Sequence, residues 1–161
     1  MKIIPLILVF LLSGCASTLT GPLYKEVSAP NDGRSHLYIY RPDVFTNSLI
    51  APGIVLNNKE VFLLENGGYT ILNLNPGINK INIKLSDNYK GHSELKIDAK
   101  ENKKYFVKLV TYNETIDIYK FKRVFRLDPV DEIMSNNELK KCRFINAEKS
   151  EEFEKSILYD N

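Results

Sequence analysis

The stretch YTILNLNPGINKINIKL, residues 69–85, decides the fold class. Tyr69–Leu74 is a short run rich in β-branched, aromatic and aliphatic side chains, the composition of a strand. Asn75-Pro76-Gly77 then closes it: Pro76 presets φ at the second turn position, and Gly77 supplies the positive φ required at the third. Past the turn, Ile81, Ile83 and Leu85 alternate with Asn82 and Lys84. A period of two marks an antiparallel strand with one face buried and the other in water.

The same grammar extends in both directions. Toward the N-terminus, Leu37–Tyr40 reads as a strand closed by Arg41-Pro42, because proline ends ladder pairing. Residues 43–52 form a loop. Ile54–Leu56 and Glu60–Leu63 make a hairpin around Asn57-Asn58, which suits a type I′ turn since asparagine tolerates positive φ. Asn66-Gly67-Gly68 is a second turn. Toward the C-terminus, Leu95, Ile97 and Ala99 alternate with charged residues. Tyr105–Tyr112 and Thr115–Arg126 are longer and apolar on both parities, as central or bulged strands would be. The turn between them falls at Asn113-Glu114. Seven to eight strands at roughly ten-residue spacing predict a mainly β chain, an antiparallel β-sandwich over residues 34–128.

The period changes at Asp128. That residue suits a helix N-cap, Pro129 the first helical position, and Asp131 the positive end of the helix dipole. Ile133, Met134 and Leu139 would form the buried face of this short C-terminal helix. Residues 129–161 thus read as helix and charged tail, with a further short helix around Phe153–Leu158.

The first fourteen residues have a different character. Lys2 precedes ten mostly apolar residues, Ile3–Leu12, in the layout of a secretory signal peptide. Ten residues rise only about 15 Å as a helix, half of a hydrocarbon core of roughly 30 Å. Leu12-Ser13-Gly14-Cys15 resembles the lipobox of bacterial lipoproteins. The resemblance implies cleavage after Gly14 and a covalent lipid, palmitate among its chains, on Cys15. Several fatty chains on one residue anchor a protein durably without a spanning helix. Ala16-Ser17 lacks the aspartate that favours inner-membrane retention, so the expected location is the outer membrane, facing the periplasm. Residues 15–33, rich in small and turn-forming side chains, read as a tether. With Cys15 lipidated, Cys142 is left unpaired, and burial near the helix is its expected fate.

Taken together, the aromatic strand ending in Arg41-Pro42, the Ile54–Val61 hairpin, Gly67-Gly68-Tyr69 and Pro76-Gly77 resemble a known pattern. It is that of small bacterial lipoproteins catalogued as a domain of unknown function, number 2846. The turn rhythm is also similar to PEGA-type and transthyretin-like sandwiches. These motifs are turns, so the resemblance implies a fold and leaves the chemistry open.

Removing residues 1–14, with Lys2, leaves 147 residues carrying 21 basic and 20 acidic side chains. A balance near +1 lacks the basic excess of a nucleic-acid surface. No cofactor and no metal site are expected, since one free cysteine and two distant histidines, His36 and His92, make no ligand set. Arg41, at a strand end before the longest loop, is a candidate for a ligand or surface contact, or for pinning the strand to a carboxylate. Lys120, Lys122 and Arg126 share a strand parity, with Arg123 adjacent, and form a candidate basic strip. The reading is a non-enzymatic, membrane-anchored module that binds or scaffolds an envelope protein. Two alternatives stand beside it: an envelope enzyme acting on lipid or glycan with a histidine base, and an accessory lipoprotein of a secretion or surface complex.

Overall fold

Asparagine and glycine turns set the first sheet. In the computed structural model, which describes residues 19–85 and 94–147, Asn57 and Asn58 have φ of 48° and 68°, and Gly77 has φ of 106°. The first pair joins β2 (Gly53–Leu56) to β3 (Lys59–Leu63). Gly77 opens β5 (Gly77–Lys84), which pairs with β2 on one side and with β6 (Leu95–Ala99) on the other. The result is a four-stranded antiparallel sheet of order β3-β2-β5-β6.

The second sheet is built on β1 (Ser35–Tyr40), every residue of which is buried. It pairs antiparallel with β4 (Gly68–Leu74) and parallel with β7 (Lys104–Asp117). An antiparallel β8 (Lys120–Val130) and a short parallel β9 (Arg143–Phe144) complete the order β8-β7-β1-β4-β9. The mainly β sandwich expected from the sequence is therefore present, with nine strands among the described residues. Two of its pairings are parallel.

Odd-numbered residues of β1 and β7 face the other sheet. Leu37, Ile39, Val107 and Leu109 meet Ile54, Leu56, Ile81 and Ile83 in the main core. Even-numbered residues face outward but are covered too. Tyr38, Tyr40 and Phe106 pack with Tyr24, Tyr69, Leu139, Cys142 and Phe144 in a second core. Tyr38 stacks on Phe106 with ring centroids 4.7 Å apart, and Tyr24 meets Tyr69 edge-on at 5.4 Å, offset and T-shaped geometries that the ring quadrupole favours. Sheet β8-β7-β1-β4-β9 is thus the middle of three layers.

Four details differ from the sequence reading. Asn113-Glu114 is not a turn: Asn113 pairs with Arg123 and Glu114 with Lys122, so one hairpin runs on to Ile118-Tyr119. There Asp117 accepts the Ile118 N–H at 2.7 Å. Asp128 and Pro129 belong to β8, where an edge strand tolerates proline. Asp131 is the N-cap instead, accepting from Met134 N at 2.9 Å and starting α1 (Glu132–Leu139). That shift turns the helix, so Ile133 and Met134 face solvent while Ser135 and Leu139 are buried. Finally, the span read as tether is partly fixed. Leu23 bridges Arg143, and Tyr24 N donates to the Cys142 carbonyl at 3.2 Å. Cys15, His92 and the Phe153–Leu158 segment lie outside the described residues.

Candidate interaction surface

Arg41 ends β1 and enters the interior. It is fully buried, with its backbone N–H donating to Gly68 O at 2.9 Å. The guanidinium donates from Nη1 to the Ile50 carbonyl at 2.5 Å and from Nη2 to the Asn47 carbonyl at 2.8 Å. Desolvation pulls its pKa down, with the Asp43 carboxylate acting in the opposite sense. Burying a charge is costly unless its donors are used. Among the described residues, Arg41 gives its two terminal nitrogens to main-chain oxygens rather than to a side-chain carboxylate, and its Nε is buried without a hydrogen-bond partner. Its work is to shape residues 43–50.

That loop is held at other points as well. Asn66 receives Val44 N–H on its Oδ1 at 3.1 Å and donates to the Asp43 carboxylate. Asn47 sits in the left-handed region, with φ of 58°, and its amide donates to Thr111 Oγ1 at 2.8 Å and Asn113 Oδ1 at 3.3 Å. The loop so fixed displays Phe45 at 97% and Leu49 at 92% exposure. Single exposed apolar residues are ordinary; two on one hydrogen-bonded loop, beside a further apolar cluster, make a candidate contact surface.

The neighbouring cluster lies on the hairpin of β7 and β8. Past the last buried pairing, Leu109 with Leu127, and the half-buried Thr111 opposite the buried Phe125, the ladder continues to Asp117 and Lys120. Six residue steps at about 3.4 Å make a two-stranded arm roughly 20 Å long. Its residues 112–123 are exposed, including Tyr112, Ile116, Ile118, Tyr119 and Phe121. The predicted basic strip is on this arm. Lys120, Lys122 and Arg126 do share one face, but Arg126 is held by Asp128 at 2.6 and 2.7 Å, and Lys122 lies 4.0 Å from Glu114. Only its distal half projects with the arm.

The model of a family of proteins of unknown function, DUF2846, matches residues 31–119, more than half of the chain. The chain belongs to the DUF2846 family. The DUF2846 match spans β1 to β7 and ends at Tyr119, the arm's turn, while residues 120–147 supply β8, α1 and β9. No curated protein and no solved structure matches the chain.

His36, the described candidate for a base, is 6% exposed in β1 and meets Tyr38 edge-on at 6.3 Å. Desolvation, with Arg34 and Lys104 adding and Asp32 opposing, lowers its pKa to about 4. It is neutral and a weak base at neutral pH. Among the described residues no helix is long and apolar enough to cross a membrane, and no acidic, histidine and cysteine group could hold a metal ion. The Arg41-held loop and the arm were not read from the sequence as a surface. Phe45 and Leu49, large apolar residues in a segment read as a loop, were the available signal.

Proposed function

We propose that this DUF2846 protein is an exported lipoprotein, held at the outer membrane by lipid on Cys15. We further propose that it acts as a non-enzymatic module that binds an envelope protein through the 43–50 loop and the adjoining base of the arm. The lipobox-like Leu12-Ser13-Gly14-Cys15 supports the anchor. With Gly21–Tyr24 fixed on β9, six residue steps separate Cys15 from the folded domain, a reach of at most about 21 Å. The tether is then a third of the span residues 15–33 would allow, and the domain stays near the bilayer.

The observation that carries the binding role is Arg41. A fully buried guanidinium is spent on ordering a loop whose two most prominent side chains, Phe45 and Leu49, contribute nothing to the core. Ordering a loop before binding removes an entropic cost from association. A photo-crosslinking residue in place of Phe45, in cells, should give a discrete adduct absent when it replaces Ile78 on β5. Identical patterns at the two sites would refute the contact. In parallel, labelled palmitate should enter the wild type and not Cys15→Ala; equal labelling would remove the anchor.

A further inference from the structure

The arm's tip differs from the 43–50 loop in carrying exposed apolar side chains on both faces and at its turn, with one acid and one lysine, Asp117 and Lys120, paired across the ladder between them. Phe121 lies on the ladder face of Phe125, Ile116 is the extra residue where the register shifts between Thr115 and Asp117, and Ile118-Tyr119 is the turn. Ile116 and Phe121 are each 64% exposed, Ile118 79% and Tyr119 89%. Cations follow at once on both faces: Lys120 and Lys122 on one, Arg123 on the other. Of the two acids nearby, Asp117 is turned onto the Ile118 N–H and Glu114 sits opposite Lys122.

A protein lying along one face would cover half of these side chains and leave the rest in water. A surface entered tip-first covers them all. The depth is bounded as well. The outward backbone groups of a two-stranded arm have no ladder partner, and the hydrocarbon core does not tolerate such groups. Burial by about 5–10 Å, the headgroup–acyl boundary, takes in two or three residue steps. That places Ile116, Ile118, Tyr119 and Phe121 at the headgroup–acyl boundary, with Lys120 opposite Asp117 between them and Lys122 and Arg123 behind, level with the phosphates.

We propose that the hairpin tip Ile116–Phe121 is a membrane-contacting element that enters the interfacial layer of a bilayer carrying anionic headgroups. This goes beyond the lipoprotein reading and does not need lipid on Cys15. The register gives the tip a direction: Phe144 N donates to Pro22 O and Tyr24 N to Cys142 O, so from Tyr24 back to Pro22 the backbone points toward the start of β1. The arm leaves from the opposite end of the sheet.

The chain has no tryptophan, so Tyr119→Trp provides a single reporter at the tip. In full-length protein with vesicles of phosphatidylcholine and phosphatidylglycerol, its emission should shift to the blue. Lipids spin-labelled near the headgroup should quench it, while an Ile78→Trp reporter on β5 stays unchanged. Ile116→Ser with Phe121→Ser should abolish the shift and leave the melting temperature unaltered, because both side chains lie outside the core. Lys120→Glu with Lys122→Glu should weaken partition about tenfold or more. A reporter that responds to the vesicle holding the protein means the domain lies along that bilayer; one that responds only to vesicles added later means the tip reaches a second surface. No shift in any protein-free vesicle overturns the proposal, and so does a shift confined to native membranes, which would assign the tip to a protein. Because the reporter reads the tip alone, an unlipidated Cys15 leaves the test intact.

Discussion

The Arg41 guanidinium lies 2.5 Å from the carbonyl oxygen of Ile50, nine residues along the chain, and closes the 43–50 loop from inside. Arg41→Ala removes the side-chain donor from the Ile50 carbonyl, leaves the Asn47 carbonyl only the Ile50 N–H, and opens a cavity. Its expected cost is about 3–4 kcal/mol, a fall in melting temperature on the order of 10 °C for a domain of this size. Arg41→Met refills the space and removes a buried charge, so it should cost roughly half as much. In both variants the amides of Ser48 and Ile50, which donate to Phe45 and Asn47 carbonyls, should exchange faster with deuterium. Unchanged exchange in the loop, despite lower stability, would mean that Arg41 fills volume without holding the loop.

Acid should weaken the fold in two stages, and His36 governs the first. Its folded pKa of about 4 lies below the ordinary value near 6.5. Between those values the unfolded chain binds a proton that the native state refuses, so stability rises with pH across the window and is lost on going down through it. The full difference is about 3 kcal/mol. Urea midpoints at pH 7 and pH 4.5 should differ clearly for the wild type, and much less for His36→Gln. Equal pH dependence in the two proteins would exclude His36 as the source.

What could be read from the sequence depended on how local the cause was. The turns at Asn57-Asn58 and Pro76-Gly77 are set by the φ preferences of those residues, and the structure has them. β5 and β6 were legible because one face of each is solvated, so burial writes an alternation. The parallel pairing of β1 with β7 joins His36 to Lys104, with no local signal linking them. Beyond the core, alternation no longer reports strand structure, and Asn113-Glu114 looked like a turn for that reason. The sequence pattern points to Asp128 as the cap and to Asp131 only as a partner of the helix dipole. The ladder pairing of Asp128 with Lys108 and Pro129 with Val107 keeps both in β8 and leaves the cap to Asp131. Arg41's partners are main-chain carbonyls, invisible to any reading of side-chain types.

Glu138 fastens the helix to the middle sheet. Its carboxylate accepts from Tyr40 Oη at 2.7 Å and Lys108 Nζ at 2.5 Å. Burial pushes its pKa up, but the bonds from Lys108 and Tyr40 outweigh this and hold it below the ordinary value. The stabilisation is therefore present above the unfolded pKa near 4.3 and lost as pH falls through the folded one, the second acid stage. Glu138→Gln should cost about 1–2 kcal/mol at pH 7. A double-mutant cycle with Lys108→Met should return a favourable coupling; additive effects would show that the pair contributes nothing.

Cys142 should be silent to thiol reagents in the native protein. It is fully buried, and its Sγ lies 3.8 Å from Arg41 O and 3.7 Å from Glu138 O. Desolvation, with Glu138 and Asp43 adding, pushes its pKa up to about 12, and only the thiolate reacts. Maleimide should modify the Cys142 peptide only in denaturant. Labelling of the folded protein within minutes would mean that the second core opens readily.

The two asparagines of the β2–β3 turn should respond oppositely to glycine. Both have positive φ, which glycine adopts without strain. Asn58 has only its backbone to offer, so Asn58→Gly should stabilise by about 0.5 kcal/mol or more. Asn57 has further duties: its Oδ1 accepts from Lys80 N at 2.9 Å, and its amide donates to Asn79 Oδ1 at 2.9 Å. Asn79 in turn donates to the Asn75 and Gly77 carbonyls, tying one turn to the next. Asn57→Gly gains the same backbone freedom but forfeits both bonds, at about 1 kcal/mol each, and leaves the buried Asn79 short of a partner. Denaturant midpoints should rise for the first variant and fall for the second. A shift of the same sign in both would mean that backbone strain alone governs this turn, and that the link between it and the Pro76-Gly77 turn carries no energy.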